Sequence, residues 1–327
     1  MSPLLRAELL RVRSRAVVWG TAVVLVVAAL GFVVAAWDDT RPPSAGALAQ
    51  AREELATATA RWESDHAGWV EVCEQTAERD GEDLHVLCDP LRTPPTLEQV
   101  LPYRPALVET LEHRYPPMAV VVLVGLLVMG VTLVTADFGS GAMGTWLTFA
   151  PRRGRVLVSR LVAALAAAVP VALVALGTAL VGIVAVVAVN GATGDAGGAA
   201  GVVAVATARA LAAGLWAVAV GVGLAFALRV GAGVAGLVVW WVAAIESALP
   251  LLVPAARGVT LATSLRAWLE GGTTYGVEEC VGGADVPPVC AVVEHVVSPV
   301  QGAAALLVAA LVVLGLGAVS FRVRDVP

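Results

Sequence analysis

Hydrophobic residues in this chain gather into blocks longer than a buried soluble helix needs. Six blocks stand out, at Val17–Trp37, Met118–Asp137, Val156–Val189, Ala208–Leu228, Val234–Val253 and Val300–Phe321. At 1.5 Å per residue, about 20 apolar residues match a hydrocarbon core of ~30 Å. Lipid offers no partner to a backbone N–H or C=O, so such blocks cross as helices or as closed barrels. Barrel strands alternate at period two, and these blocks do not. The pattern predicts an all-α membrane protein with six transmembrane helices.

The polar segments carry patterns of their own. Pro3–Arg15 spaces Leu5, Leu9 and Val12 four and three apart, which puts them on one helical face with Arg6 and Arg13 elsewhere. This predicts an amphipathic interfacial helix over residues 1–15, its arginines near anionic lipid headgroups, ahead of a first span at 16–37. Residues 38–115 then form a small helical outer domain. Ala47–Glu78 is rich in Ala, Glu, Gln and Arg and predicts one long helix or two. Thr96 to Gln99 has capping-box spacing; Pro102 would end that helix early and Pro105 would open a further turn. Pro116 and Pro117 are expected at the start of the second span, where missing N–H donors cost little.

Residues 116–327 hold the other five spans. Val156–Val189 would measure ~50 Å as a straight helix, so it must tilt, kink at Pro170 or protrude. Within an outer loop at 254–298, Gly258–Leu269 is too short to cross and predicts a short surface or re-entrant helix. Arg229–Gly233 is a tight basic turn between spans four and five.

Charge supplies the orientation. The chain is only 14% charged, with a mean hydropathy of +0.83, against ~25% charged for a soluble domain. Every one of the 21 basic residues is arginine. With both termini inside, the inner segments hold eleven arginines and three acids, net +8, and the rest of the chain is net −13. Short inner loops of that sign follow the positive-inside rule. The cysteines then fall outside as two pairs, Cys73 with Cys88 and Cys280 with Cys290, and disulfides are expected. Metal binding by Cys73, His85 and Cys88 is the rival for the first pair, though a fourth ligand is not evident.

Candidate chemistry is sparse. A phosphate-binding loop needs a lysine, and the chain has none. Ser140 lacks a base, because His66, His85, His113 and His295 all fall in outer segments. No metal triad or dinucleotide fingerprint lies in the spans, and no enzyme activity, cofactor or nucleic-acid partner is expected of this chain. Glu246 is the one carboxylate placed within the hydrocarbon region, where a charge costs ~2.5–3.5 kcal/mol on insertion scales. It is either a gating, substrate-path or helix-pairing site, or a residue that snorkels to the surface.

The remaining feature is the insert between spans two and three, Ala136 to Leu161, ADFGSGAMGTWLTFAPRRGRVLVSRL. An acidic residue, Asp137, ends one span. A Gly/Ser segment follows, then a short amphipathic piece at Met143–Phe149, then Pro151 and the arginines Arg152, Arg153, Arg155 and Arg160. The run resembles the segment between spans two and three of type-2 ATP-binding cassette permeases, the membrane subunits of many bacterial exporters. Asp137 stands where that family more often has Glu, and Arg160 where it more often has Lys. The motif covers about 25 residues, while the six-span layout with an amphipathic N-terminal helix matches throughout. The large outer domain after span one departs from most members.

The resemblance implies a permease subunit in the bacterial plasma membrane. It implies pairing with a second copy or a sister permease, surrounded by membrane lipid, and driving by a separate ATPase that holds ATP and Mg. Residues 137–155 would form the coupling segment, with Asp137, Met143, Thr145, Trp146, Leu147, Phe149, Pro151, Arg152, Arg153, Arg155 and Arg160 as the docking set. The alternatives are a proton-coupled secondary transporter using Glu246 and a non-transporting sensor or assembly protein.

Overall fold

The computed structural model describes residues 3–80, 83–149, 152–194, 197–281 and 289–325. Six helical segments among them are long and apolar enough to cross a membrane: α2 (Ala16–Thr40), α6 (Leu107–Gly139), α8 (Arg153–Val189), α9 (Ala199–Leu228), Gly231–Leu252 and α13 (Pro299–Val323). The protein is an all-α, multi-pass membrane protein. Ahead of the first span lies α1 (Pro3–Ser14). Between the first two spans, α3 (Ala45–Asp80), α4 (Leu84–Arg92) and α5 (Leu97–Val100) make the outer domain. Cys73 and Cys88 form a disulfide that staples α3 to α4, Cα to Cα 5.9 Å.

The core sits where α6 meets α9. In each of these helices 56% of the apolar window is buried, against 6% for Gly231–Leu252. Small residues permit the approach. A Cβ on Gly221 would lie 2.6 Å from the Leu127 carbonyl oxygen, and one on Gly130 would lie 2.9 Å from that of Val218. Where α9 meets α13, a Cβ on Gly317 would lie 2.5 Å from the Gly223 carbonyl oxygen. Lipid tails are as apolar as leucine, so helix association in a bilayer relies on close packing of this kind. Trp216 adds a cross-link by donating its indole N–H to the Leu306 carbonyl of α13 at 2.6 Å. At the outer-domain end, Arg104 donates to the carbonyls of Thr40 and Asn190, each at 2.8 Å, which ties α2 to α8.

Several elements differ from the sequence expectation. Pro116 and Pro117 lie in the third turn of α6. They deprive the Glu112 and His113 carbonyls of intrahelical donors, and both residues are exposed, where water can supply one. Span five is not one regular helix. It runs as α10 (Gly231–Trp241), a π-helical turn at Val242–Ala248 that contains Glu246, and α11 (Leu249–Leu252). After α12 (Leu261–Glu270), the outer loop holds an antiparallel hairpin of β1 (Thr273–Val281) and β2 (Val289–Val297). Its register sets Cys280 opposite Cys290, and Cys290 is disulfide-bonded.

The position of α1 also needs a correction. Leu9 and Val12 pack into the core cluster of the bundle instead of facing lipid. Glu8, Arg11, Val12 and Arg15 are spaced three, one and three apart, so they share a face. That face turns toward the ends of α6 and α8. Polar partners waiting there make docking on protein better than lying free on the bilayer.

Candidate functional site

Asp137, on the last turn of α6, is fully buried. One carboxylate oxygen accepts from Arg11 Nη2 at 2.5 Å and also pairs with Arg15. The other faces Arg160 Nη1 of α8 at 2.5 Å. The same Arg160 nitrogen lies 3.1 Å from Glu8 Oε2, and Arg160 is only 6% exposed. Three guanidiniums thus meet two carboxylates around one point joining α1, α6 and α8. Arg160 Nε and Nη2 and both Glu8 carboxylate oxygens are buried without a hydrogen-bond partner, so the cluster is held by charge more than by hydrogen-bond geometry. Burial pushes the Glu8 carboxyl above its ordinary 4.5, with the nearby Arg160 and Arg11 opposing that shift.

The short helix α7 (Ala142–Phe149) is joined to this cluster by Trp146. Arg160 lies over its indole at 5.4 Å and Arg11 at 5.8 Å, a cation–π geometry that favours a desolvated guanidinium. Met143 is fully buried and Leu147 packs against the core. Sequence periodicity explains the division: positions 143, 146 and 147 face inward, while Thr145, Thr148 and Phe149 are exposed, Phe149 at 84%. The inner face of this eight-residue helix is thus held by Met143, Trp146 and Leu147 against the bundle.

The arginines of the insert therefore separate. Arg160 is internal. Arg153 donates to the carbonyls of Phe321, Arg322 and Arg324 at 2.9, 3.1 and 2.8 Å, capping the C-terminus of α13. Arg152 and Arg155 are exposed, and their side chains make no ion pair or hydrogen bond among the described residues. Pro151 lies outside the described residues. Arg229, in the basic turn, holds a left-handed φ of 64° at the end of α9. From there its side chain reaches the Arg324 carbonyl at 3.1 Å and lies over the Phe138 ring at 5.4 Å. Phe138, Phe226 and Phe321 form an aromatic cluster beneath it.

Glu246 is engaged elsewhere. Its carboxylate accepts from the backbone N–H groups of Leu261 and Ala262 at 3.1 and 2.9 Å, and from Trp241 Nε1 at 2.8 Å. It thereby caps the N-terminus of α12, where the helix dipole favours a negative charge. Sequence reasoning missed three partners in the buried cluster, namely Glu8, Arg11 and Arg15. Their common face was readable in the spacing. It also missed Arg209 of α9, which lines a cavity of about 680 Å³ together with Glu112, Tyr115 and Glu270 at the opposite end of the bundle.

No protein-family model matches the sequence, and no curated protein or solved structure matches it either.

Proposed function

We propose that this chain is the membrane-spanning subunit of an ATP-driven exporter in the bacterial plasma membrane, of the type-2 ATP-binding cassette kind. Energy enters through α7 from a separate ATPase that binds ATP and Mg, and the chain works paired with a second permease. The observation that carries the reading is the clamp on α7. The helix bridges two spans, its inner face is locked by Trp146, Arg160, Arg11 and Asp137, and its outer face presents Thr145, Thr148 and Phe149. A force applied to that outer face passes into α6 and α8 with little loss, because the buried ion pairs resist relative rotation. The exposed Arg152 and Arg155 beside it provide charge for an acidic docking groove.

The test is affinity purification of the chain co-expressed with an ATP-binding cassette ATPase encoded beside its gene. The native chain should retain the ATPase, and Phe149→Asp should release it while remaining monodisperse. Trp146→Asp is a poorer probe, since it would also break the clamp. A Phe149→Asp chain that keeps its ATPase, or labelling that puts a cysteine at position 145 on the extracellular side, would defeat the proposal.

A further inference from the structure

A second feature of α1 lies beside the ion cluster, where α1 meets α2 and α8. Leu9, Val12 and Arg13 of α1, Trp19 of α2, and Ala167 and Pro170 of α8 border a groove of about 480 Å³. Among the described residues lining it, Arg13 carries the one charge, at the end where α1 meets α2. The rest of the wall is aliphatic apart from the Trp19 ring, whose N–H is satisfied by the Arg13 carbonyl at 3.0 Å. The Arg13 side chain is exposed and makes no ion pair or hydrogen bond among the described residues. Arg6, seven residues earlier and so on the same side of α1, is likewise exposed and unpaired.

We infer that this groove binds one acyl chain of an anionic phospholipid, with the lipid phosphate against Arg13. The groove's length suits part of an extended chain. The α8 wall runs from Ala166 to Val174, roughly 12 Å. Small residues on α8 create the space, since Ala166 and Ala167 leave room that leucines would fill. The interfacial position supplies the amphiphile, and Trp19 is the ring type found at headgroup depth. Charge supplies the selection. Arg11 and Arg15 are already paired with Asp137, whereas Arg13 and Arg6 are free, so the open side of α1 has net positive charge facing the headgroups. This inference rests on the membrane-spanning fold and not on the exporter reading. A lipid seated here bridges α1, α2 and α8, and so adds to the hold on the segment that carries Glu8, Arg11 and Arg15.

The experiment is native mass spectrometry of the detergent-purified full chain, titrated with phosphatidylglycerol or with phosphatidylcholine of the same acyl composition. The native chain should retain one phosphatidylglycerol in preference to phosphatidylcholine by about fivefold, the factor expected of one arginine near an anionic headgroup. Arg13→Gln, an exposed change that leaves the packing alone, should level the two lipids. Ala167→Phe should reduce retention of both, with an unchanged elution profile as the check on folding. Equal retention of the two lipids by the native chain would overturn the inference, as would a preference that survives in Arg13→Gln. If Ala167→Phe elutes as aggregate, the Arg13→Gln comparison decides alone.

Discussion

Replacing Asp137 with Asn should free α1 from the bundle, and the size of the effect follows from the charge count around it. Asp137 holds Arg11, Arg15 and Arg160, and its removal leaves three guanidiniums facing Glu8 alone. Breaking a buried pair by removing one partner costs about 3–5 kcal/mol, because the survivor keeps its desolvation penalty. The apolar hold on α1 is comparable in size. Full burial of an aliphatic side chain contributes about 1.5–3 kcal/mol; Val12 is buried and Leu9 only half-buried. Losing the ionic part should therefore raise the opening constant of α1 by about 100- to 4,000-fold, at 1.4 kcal/mol per tenfold. A cysteine at position 12 reports the opening, since Val12 is 6% exposed and no cysteine among the described residues is free. Its thiol should label slowly in the native background and faster by that factor with Asp137→Asn. Arg160→Gln should cost less, because it leaves two arginines to two carboxyls, one of which takes up a proton readily. The double variant should label more slowly than Asp137→Asn alone, since it removes the most buried unpaired charge. If Asp137→Asn labels at the native rate, or the two substitutions simply add, the ion cluster does not hold α1.

Further outcomes follow from single features. Burial raises the Glu8 carboxyl above 4.5, so the folded state binds its proton more tightly than the free chain. That contribution is present at low pH and is lost as pH rises through the raised value; labelling at position 12 should accelerate over that window, and Glu8→Gln should flatten the profile once thiol reactivity is normalised. Gly221→Ala forces a Cβ to within 2.6 Å of the Leu127 carbonyl oxygen, and should cost about 1–3 kcal/mol, read as a fall in thermal stability in lipid nanodiscs. Glu246→Ala leaves two N–H groups of α12 and the Trp241 indole without acceptors, and should cost about 0.5–2 kcal/mol, read as faster trypsin cleavage after the exposed Arg257. Reducing the Cys73–Cys88 disulfide should loosen α3 against α4, seen as proteolysis there, while the thermal transition of the spans stays in place.

The fold was legible wherever hydrophobic length alone decides it. All six blocks are helices, and the capping-box spacing at Thr96 marks the start of α5, where Gln99 accepts from the Thr96 N–H at 2.8 Å. What length does not carry is where a helix begins, and α6 extends about three turns beyond its apolar block because Leu107 and Leu111 bury against Ile183 and Val187. The hairpin was missed because two cysteines in a short segment look the same whether the chain between them is loop or strand. Its signal was the run of β-branched residues in TTYGVEECV and VCAVVEHVV. The partners of Glu246 were hidden for a different reason: insertion cost is counted residue by residue, whereas two of its donors lie 15 and 16 positions later on α12. The candidate site shows the same limit most clearly. Sequence reading found Asp137 and Arg160 as charges flanking a short helix, and the natural inference from a charged, turn-rich insert is that all of it faces a partner. Folding divides it. A carboxylate and an arginine 23 positions apart on two adjacent spans meet once those spans pack antiparallel, and α1 with the residue after it covers them with two further arginines and Glu8. The surface left for another protein is then smaller and differently composed: Thr145, Thr148, Phe149, Arg152 and Arg155. Burying the charges is what backs that surface, because Arg11 and Arg160, paired with Asp137, lie over Trp146 of α7. The residues that resemble a family motif thus act from inside, and those that would touch a partner are the plainer ones between them.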